Sequence, residues 1–366
     1  MSARAHLPEG TARVVLRCRD LDANLAFFTD VAGFRIGRIS PADSPREVDL
    51  AGYGIGLRLV GADVDEAGSI TVEAAPGADT SSASHRAPNG TVVEFTAPRR
   101  ALTIPTGQQT LEISRLADSA DFAGGRAGMG YRDLVPSRVG GRFIASHIRI
   151  AEGGPVPDYV HFHKIRFQMI YCYRGWVRVV YEDQGEPFVL QPGDCVLQPP
   201  EIRHRVLESS PGLEVIEIGC PAEHDTFADH TLVLPTPTVD PDRDFGGQRF
   251  VRHVAEDARW VPSTLPGYEH RDIGIGAATG GLAGARVHRA HGANRWTAPL
   301  CHDGEFLFVF VLHGQLTLHT GERHGLLEAG DSVVIPAGAA FELEASAEAE
   351  LLEVTLPDDP HVTAVG

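Results

Sequence analysis

Basic residues are scarce beside acidic ones: 32 lysines and arginines face 49 aspartates and glutamates, giving a formal charge of −17. A surface of that sign repels polyphosphate, so no nucleic-acid partner is expected. No apolar run reaches about 18 residues, so no transmembrane helix and no membrane partner are expected. Met1 to Gly10 holds no apolar segment of the secretory kind. The five cysteines are odd in number and lack paired spacing, which fits a reduced, cytoplasmic chain better than a disulfide framework. No G-x-S-x-G, P-loop or dinucleotide fingerprint occurs, which removes the usual hydrolase and nucleotide readings.

What is plentiful is punctuation. The 366 residues include 40 glycines and 25 prolines, as a mainly β chain with many turns requires. That length allows two or three domains with cores of their own. In the first region, Ala12 to Cys18 alternates like a strand, and Asp20-Leu-Asp22 offers caps to a helix over Ala23 to Val31. After Gly33, the runs Phe34 to Gly37, Glu47 to Leu50 and Ile55 to Val60 read as strands, so the expected order is β-α-β-β-β.

The stretch Asp20 to Phe34, with Pro88-Asn-Gly-Thr-Val-Val-Glu-Phe95, resembles the glyoxalase, or vicinal oxygen chelate, family over residues 1–100. The resemblance implies βαβββ modules that pair around a metal. Here Arg13 stands where the family often has a metal-binding histidine, and only Glu94 matches a usual ligand. Ala74 to Ser84 is short for the helix of a second module. A metal-free structural or interface role is therefore expected for this region. Pro98 to Gly107 reads as a linker.

From there on the chain repeats itself. Arg132-Asp-Leu134 recurs as Arg271-Asp-Ile273, a spacing of 139 that also relates Gly141 to Gly280, His163 to His302, and Gly175 to Gly314. After a hairpin two residues shorter, Gly193-Asp194 recurs as Gly330-Asp331 and Pro199 as Pro336. Such a duplication implies two copies of one β-rich domain, expected over residues 108–222 and 246–358. Pro221 to Gly247 reads as the connection between them.

The first copy carries the chemistry. His161-Phe-His163 places two imidazoles on one face of a strand, since side chains alternate. Gln168 lies at odd spacing from His163, so a turn or bulge must return it to that face. His204 follows Gly193-Asp194 and Pro199-Pro200 on the next strand. Three converging imidazoles suit a divalent transition metal. This spacing resembles the two motifs of the cupin family over Arg142 to Pro221, which implies a β-barrel holding one metal on His161, His163, Gln168 and His204. Ferrous iron is the first choice, with nickel, zinc, manganese or copper as alternatives. Gln168 replaces the usual glutamate, leaving a neutral ligand set, and Glu201 replaces a glycine. The expected architecture is thus a glyoxalase-like domain followed by two cupin barrels, a bicupin.

In the second copy His302 remains, but Leu300, Leu307 and Phe341 fill the other ligand positions. This barrel is expected to be metal-free; an irregular site of His302 and Glu305, joined by His288 or His291, is the alternative. Cys172 and Gln198 are pocket candidates in the first barrel by parity and position. Tyr171 and Tyr173 are expected to face the other repeat. His224-Asp225-Thr226 reads either as a catalytic fragment or as a helix cap.

The resemblance implies a non-haem iron dioxygenase acting, with dioxygen, on a small oxygen-chelating molecule such as a diketone, enol or phenol. The alternatives are a non-redox isomerase, lyase or decarboxylase, which needs a base that the sequence does not reveal, and a metabolite-sensing regulatory cupin. A homo-oligomer is expected.

Overall fold

The computed structural model describes residues 10–74, 83–97, 102–118, 122–263, 267–292, 294–295, 299–321 and 323–365. They fall into two compact units, Met1–Ala101 and Leu102–Gly366. In the first, strands Val14–Cys18, Arg35–Ser40, Glu47–Gly52 and Ile55–Gly61 form one sheet in the order first, fourth, third, second. The first and fourth strands run parallel, which a connection that crosses the sheet through a helix allows. That helix, Leu21–Ala26, starts on Asp20, whose side chain accepts from the Ala23 amide at 2.9 Å, and it ends in a π-helical turn, Phe27–Val31. Phe28, Leu57 and Leu59 are fully buried beneath it. The order is the expected β-α-β-β-β. Strands Ser69–Glu73, Ala83–Arg86 and Val92–Thr96 make a separate three-stranded sheet. Most of Ala74 to Ser84, and residues 98–101 of the expected linker, lie outside the described residues.

The second unit contains the two repeats. Strand Phe167–Arg174 in the first and Phe306–His313 in the second are buried on both faces. Phe167, Met169 and Tyr171 turn toward the other repeat, where Phe306, Phe308 and Phe310 meet them in one shared core. Phe143 stacks on Phe306 with centroids 4.2 Å apart. At roughly 2–3 kcal/mol for each fully buried aromatic, this inter-repeat core is a major source of stability. Tyr171 and Tyr173 lie in it as expected, their hydroxyls meeting Arg271 at 3.3 Å and the Leu312 carbonyl at 3.2 Å.

The linear boundaries of the repeats are not their boundaries in space. Strand Glu112–Ser114, at the start of the first repeat, pairs with Ser332–Val334 of the second. Its counterpart Val251–His253 pairs with Cys195–Leu197 of the first. Each barrel thus borrows a strand from the other. The Arg132/Arg271 repeat is reciprocal too. Arg132 donates to the Gly330 carbonyl in the turn of the second repeat. A Cβ on Gly193, at φ +94°, would come within 2.9 Å of Arg271. Glycine is needed in that turn for both its φ and the guanidinium packed against it.

The stretch from Pro221 to Gly247 is more than a connection. It contributes strand Thr226–Ala228, which pairs with His161–His163. The helix-cap reading of Asp225-Thr226 is therefore wrong: no helix starts there, because the segment finds an open strand edge instead.

Candidate metal centre

The first barrel has a seven-stranded and a six-stranded sheet. His161 and His204 face each other as a cross-strand pair on the smaller one, and alternation brings His163 to the same side. Their rings lie 4.3 to 5.3 Å apart between centroids. One ring nitrogen of each lies within 4.8 Å of the others, and all three residues are buried. Among the described residues this is the sole group of three or more histidines, cysteines or acids gathered so closely.

The other edge of each ring is engaged by the protein. His161 Nδ1 meets the Tyr159 carbonyl at 2.8 Å and lies 3.6 Å from Asp158 Oδ1. His204 Nδ1 meets the Ile202 carbonyl at 3.0 Å, and His163 Nδ1 meets Thr226 Oγ1 at 3.0 Å. An imidazole whose Nδ1–H donates to an oxygen carries its lone pair on Nε2, the arrangement found in metal-ligating histidines. The donor set therefore fits a divalent transition metal.

Gln168 lies across the cavity on the larger sheet, opposite Gly219 in the ladder. The parity problem is resolved by a break: Lys164–Arg166 separate strand His161–His163 from Phe167–Arg174, and the two belong to different sheets. The Gln168 amide nitrogen donates to Glu217 Oε1 at 2.5 Å. That hydrogen bond directs the amide oxygen away from the carboxylate.

These residues open onto a cavity of about 270 Å³. Its other walls are largely apolar, including Ile148, Ile170, Val179 and Val215. Gln198 lines it, its amide donating to the Tyr181 hydroxyl at 2.8 Å. Tyr181 stacks on His204 with centroids 5.5 Å apart, and burial raises its hydroxyl far above the ordinary range, so it stays protonated. Cys172 does not line the cavity. It shares a face with Gln168 and Ile170 but sits at the far, filled end of the barrel, with Sγ 3.5 Å from the Gly175 carbonyl. Burial pushes its thiol up to about 12, so it stays neutral.

One cavity residue escaped sequence reasoning, and a second was read only as part of a catalytic fragment or helix cap. Glu217 lies inside a run of apolar residues, Leu213–Cys220, that advertises a core strand. His224 comes from the supposed connection, its ring 5.3 Å from His163. The His224-Asp-Thr226 string was a signal, since Thr226 orients His163. Glu201, where a glycine was expected, adopts φ +63° itself, and its amide donates to the His163 carbonyl at 3.0 Å.

The irregular site in the second repeat is not assembled. Both ring nitrogens of His302 are used, Nε2 with the Ile335 carbonyl at 2.9 Å and Nδ1 by the Gly304 amide at 3.1 Å. Glu305 is claimed by Arg166 at 2.6 Å and Arg142 at 2.9 Å, and His291 by Glu269 at 3.1 Å. His288 turns to Glu353 at 3.3 Å. The positive charge of two arginines holds the Glu305 carboxyl below its usual range despite burial.

Comparison with known proteins bears on the fold. Residues 286–355 match the family model described as Cupin domain. The match falls on the second repeat, not on the one that gathers the histidines. No curated protein matches the sequence. Among solved structures, the salicylate 1,2-dioxygenase of Pseudaminobacter salicylatoxidans superposes with a TM-score of 0.54 at 15% identity, over 71% of this chain and 90% of that one. A form of the enzyme from Pseudoaminobacter salicylatoxidans described with gentisate adducts gives 0.52 at 15%, over 72% and 87%. A variant of the Bacillus subtilis oxalate decarboxylase gives 0.53 at 12%, over 72% and 80%. At such identities the likeness concerns the fold. The matched domain lies within a chain whose architecture is mainly β and cupin-like.

Proposed function

We propose that the chain is a metal-dependent cupin enzyme, a non-haem iron dioxygenase acting on a small oxygen-chelating organic molecule such as a diketone, enol or phenol. The observation that carries the reading is the trio His161, His163 and His204, gathered within 4.8 Å at the edge of a small apolar cavity. With the amide oxygen of Gln168 they would hold one divalent ion per chain. Bound there, ferrous iron supplies Lewis acidity toward a chelating substrate and the electron exchange with dioxygen that oxygenative cleavage needs.

The chain's own residues do the rest. Tyr159, Ile202 and Thr226 fix the three rings. Glu217 accepts a hydrogen bond from the Gln168 amide N–H and so keeps its oxygen turned toward the histidines. Ile148, Ile170, Val179 and Val215 exclude water, and a cavity of about 270 Å³ restricts the substrate to a small ring or short chain. The superposing structures include a salicylate 1,2-dioxygenase with gentisate adducts, which supports an enzyme of this class and a small aromatic substrate.

A second reading is non-redox: a zinc, nickel or manganese lyase, isomerase or decarboxylase. Glu217 favours it, because it puts in the cavity the carboxylate that such chemistry requires. The N-terminal βαβββ unit we read as a glyoxalase-like module with a metal-free role. Its Arg13 pairs with Asp49 at 3.3 Å, and Arg38 and Arg58 share that carboxylate. Elemental analysis of anaerobically purified protein, with oxygen uptake against diketones and catechols, decides between the two. Iron at about one per chain with oxygen consumption upholds the first; zinc, nickel or manganese without consumption sinks it in favour of the second.

A further inference from the structure

The second barrel keeps an interior of its own although apolar side chains fill its ligand positions. Its cavity measures about 760 Å³. One wall is apolar, formed by Leu300, Leu307, Val309, Ile335, Phe341 and Leu343. His270, His288 and Glu353 also line the cavity, on the same sheet as Leu307 and Val309.

Strand registers identify the counterparts. Glu217 pairs with Ile170 on one side and Ser146 on the other. Glu353 pairs with Val309 and Arg286 in the same ladder positions. The carboxylate has thus been kept, while Leu307 replaces its amide partner. Glu353 turns instead to His288 Nε2 at 3.3 Å. His288 and His270 face each other across their strands, with ring centroids 5.8 Å apart. They occupy the places of Ile148 and Tyr131, which line the first cavity. The strand-borne histidines that line the cavity have moved from the smaller sheet to the larger one.

We propose that the second barrel is a metal-independent pocket for a small, largely apolar organic molecule that carries a hydrogen-bond-donating hydroxyl and no negative charge. The volume is that of an ordinary small-molecule site. The sign of the charge follows from the polar groups. Burial alone would raise the Glu353 carboxyl, but the contact with His288 and the charge of Arg286 outweigh it and keep it ionised. Arg286 is not available to an anion, because it is bound to Asp358 through two contacts of 2.8 and 2.9 Å. Asp358 and Asp359 also line the cavity. A carboxylate ligand would enter against this field, whereas a hydroxyl finds acceptors. His288 is 5% exposed, and the Nδ1 atoms of His288 and His270 are buried without a hydrogen-bond partner. Buried polar atoms without a partner are destabilising, and ring rotation toward a bound hydroxyl removes that penalty. A metal is the poorer occupant. The carboxylate already holds His288 on Nε2, and no group of three close ligands among the described residues lies in this barrel.

Titration calorimetry of the full chain with 4-ethylphenol and 4-ethylbenzoate tests the proposal, in the natural sequence and in His161→Ala. The phenol should saturate a site that persists in His161→Ala, and there the benzoate should bind at least about tenfold more weakly. Leu307→Phe on the apolar wall and Leu300→Trp at the half-buried rim should each weaken phenol binding by about tenfold or more. The rim variant reports even if the wall variant does not fold. Glu353→Gln should shrink the preference for phenol over benzoate to about threefold or less, which a merely structural glutamate would not do. The proposal is overturned if the phenol shows no saturable binding, if His161→Ala abolishes it, if the benzoate binds as well, or if the folded cavity variants bind unchanged. Since the first-barrel variant removes a proposed metal ligand, these outcomes are separate from failure of the dioxygenase reading.

Discussion

The two barrels share a ladder and differ in what it displays. His161 faces His204 in the first, and Leu300 bridges Phe341 at the same place in the second. In both, an amide just after the proline at Pro199-Pro200 or Pro336 donates to a histidine carbonyl of the strand that begins the barrel's ligand motif: Glu201 to that of His163, Gly338 to that of His302. Backbone pairing is indifferent to whether the inward side chain is an imidazole or a hydrocarbon, so one scaffold carries a polar centre in one copy and an apolar wall in the other. Between the copies, the borrowed strands and the shared aromatic core make the pair a single structural object.

The largest effect should come from copying the second barrel's ligand positions into the first. His161→Leu with His204→Phe should take the metal content from about one per chain to near zero, while His302→Ala leaves it unchanged. Elemental analysis after anaerobic purification measures this, and metal loss in His302→Ala would mean that the wrong barrel has been assigned. Next comes the interface that unites the barrels. Phe308 is fully buried in the common core, so Phe308→Ala should cost about 3–5 kcal/mol in a denaturant titration, in a single transition reported alike by probes in both barrels. Two separated transitions would show that the barrels unfold independently. A milder copy is Gln168→Leu, which reproduces Leu307. It removes a neutral ligand and strands Glu217, so metal affinity should fall by about 10–100-fold in competition with a chelator while the fold persists.

Acid should probe the histidines that are not in the metal centre. Burial lowers the basicity of His147 in the first barrel and of His253, His270 and His302 in the second segment. Their unfolded-state pKa is about 6.5. With the folded value depressed, the native state binds fewer protons, so stability is full above about pH 6.5 and declines as pH falls below it. Unfolding midpoints measured from pH 7.5 to 5.5 should therefore drop, and less so in His302→Asn. A midpoint that rises on acidification would contradict the assignment of these rings as neutral.

Much of this was legible in the sequence because it is local. The H-x-H pair needs only strand alternation, and the repeat announces itself through glycines and prolines that turns demand. Gln168 was placed in the cavity through a motif spacing, though the strand break that puts it there was not visible. What escaped is non-local. Glu217 looks like a polar interruption in a core strand until the ladder sets it beside Ile170. His224 and Thr226 sit in a stretch that reads as a connection and become part of the site only by pairing with His161–His163. The exchange of strands Glu112–Ser114 and Val251–His253 is equally hidden, since either strand would suit its own repeat by pattern. Even the constant spacing of 139 slips by one within strand Gly284–Ala290. Arg132 lies opposite His147 and Arg271 opposite Val287, a spacing of 140 for the second partner.

The smallest expected effect separates backbone from side chain at one turn. Glu201 holds φ +63° where its counterpart Gly338 holds φ +75°, and both amides make the same hydrogen bond. A side chain in the left-handed region costs about 1 kcal/mol, which glycine avoids, although glycine surrenders more freedom on folding. Glu201→Gly should therefore stabilise the chain by a few tenths to about 1 kcal/mol and leave metal content unchanged, as thermal unfolding and elemental analysis together would report. The reverse change, Gly338→Glu, should destabilise by a similar amount, because it meets no atom within 4 Å and pays only the backbone term. If Glu201→Gly instead lowers metal occupancy, the glutamate side chain acts on the centre through the strand it anchors, and the turn is part of what distinguishes the two barrels.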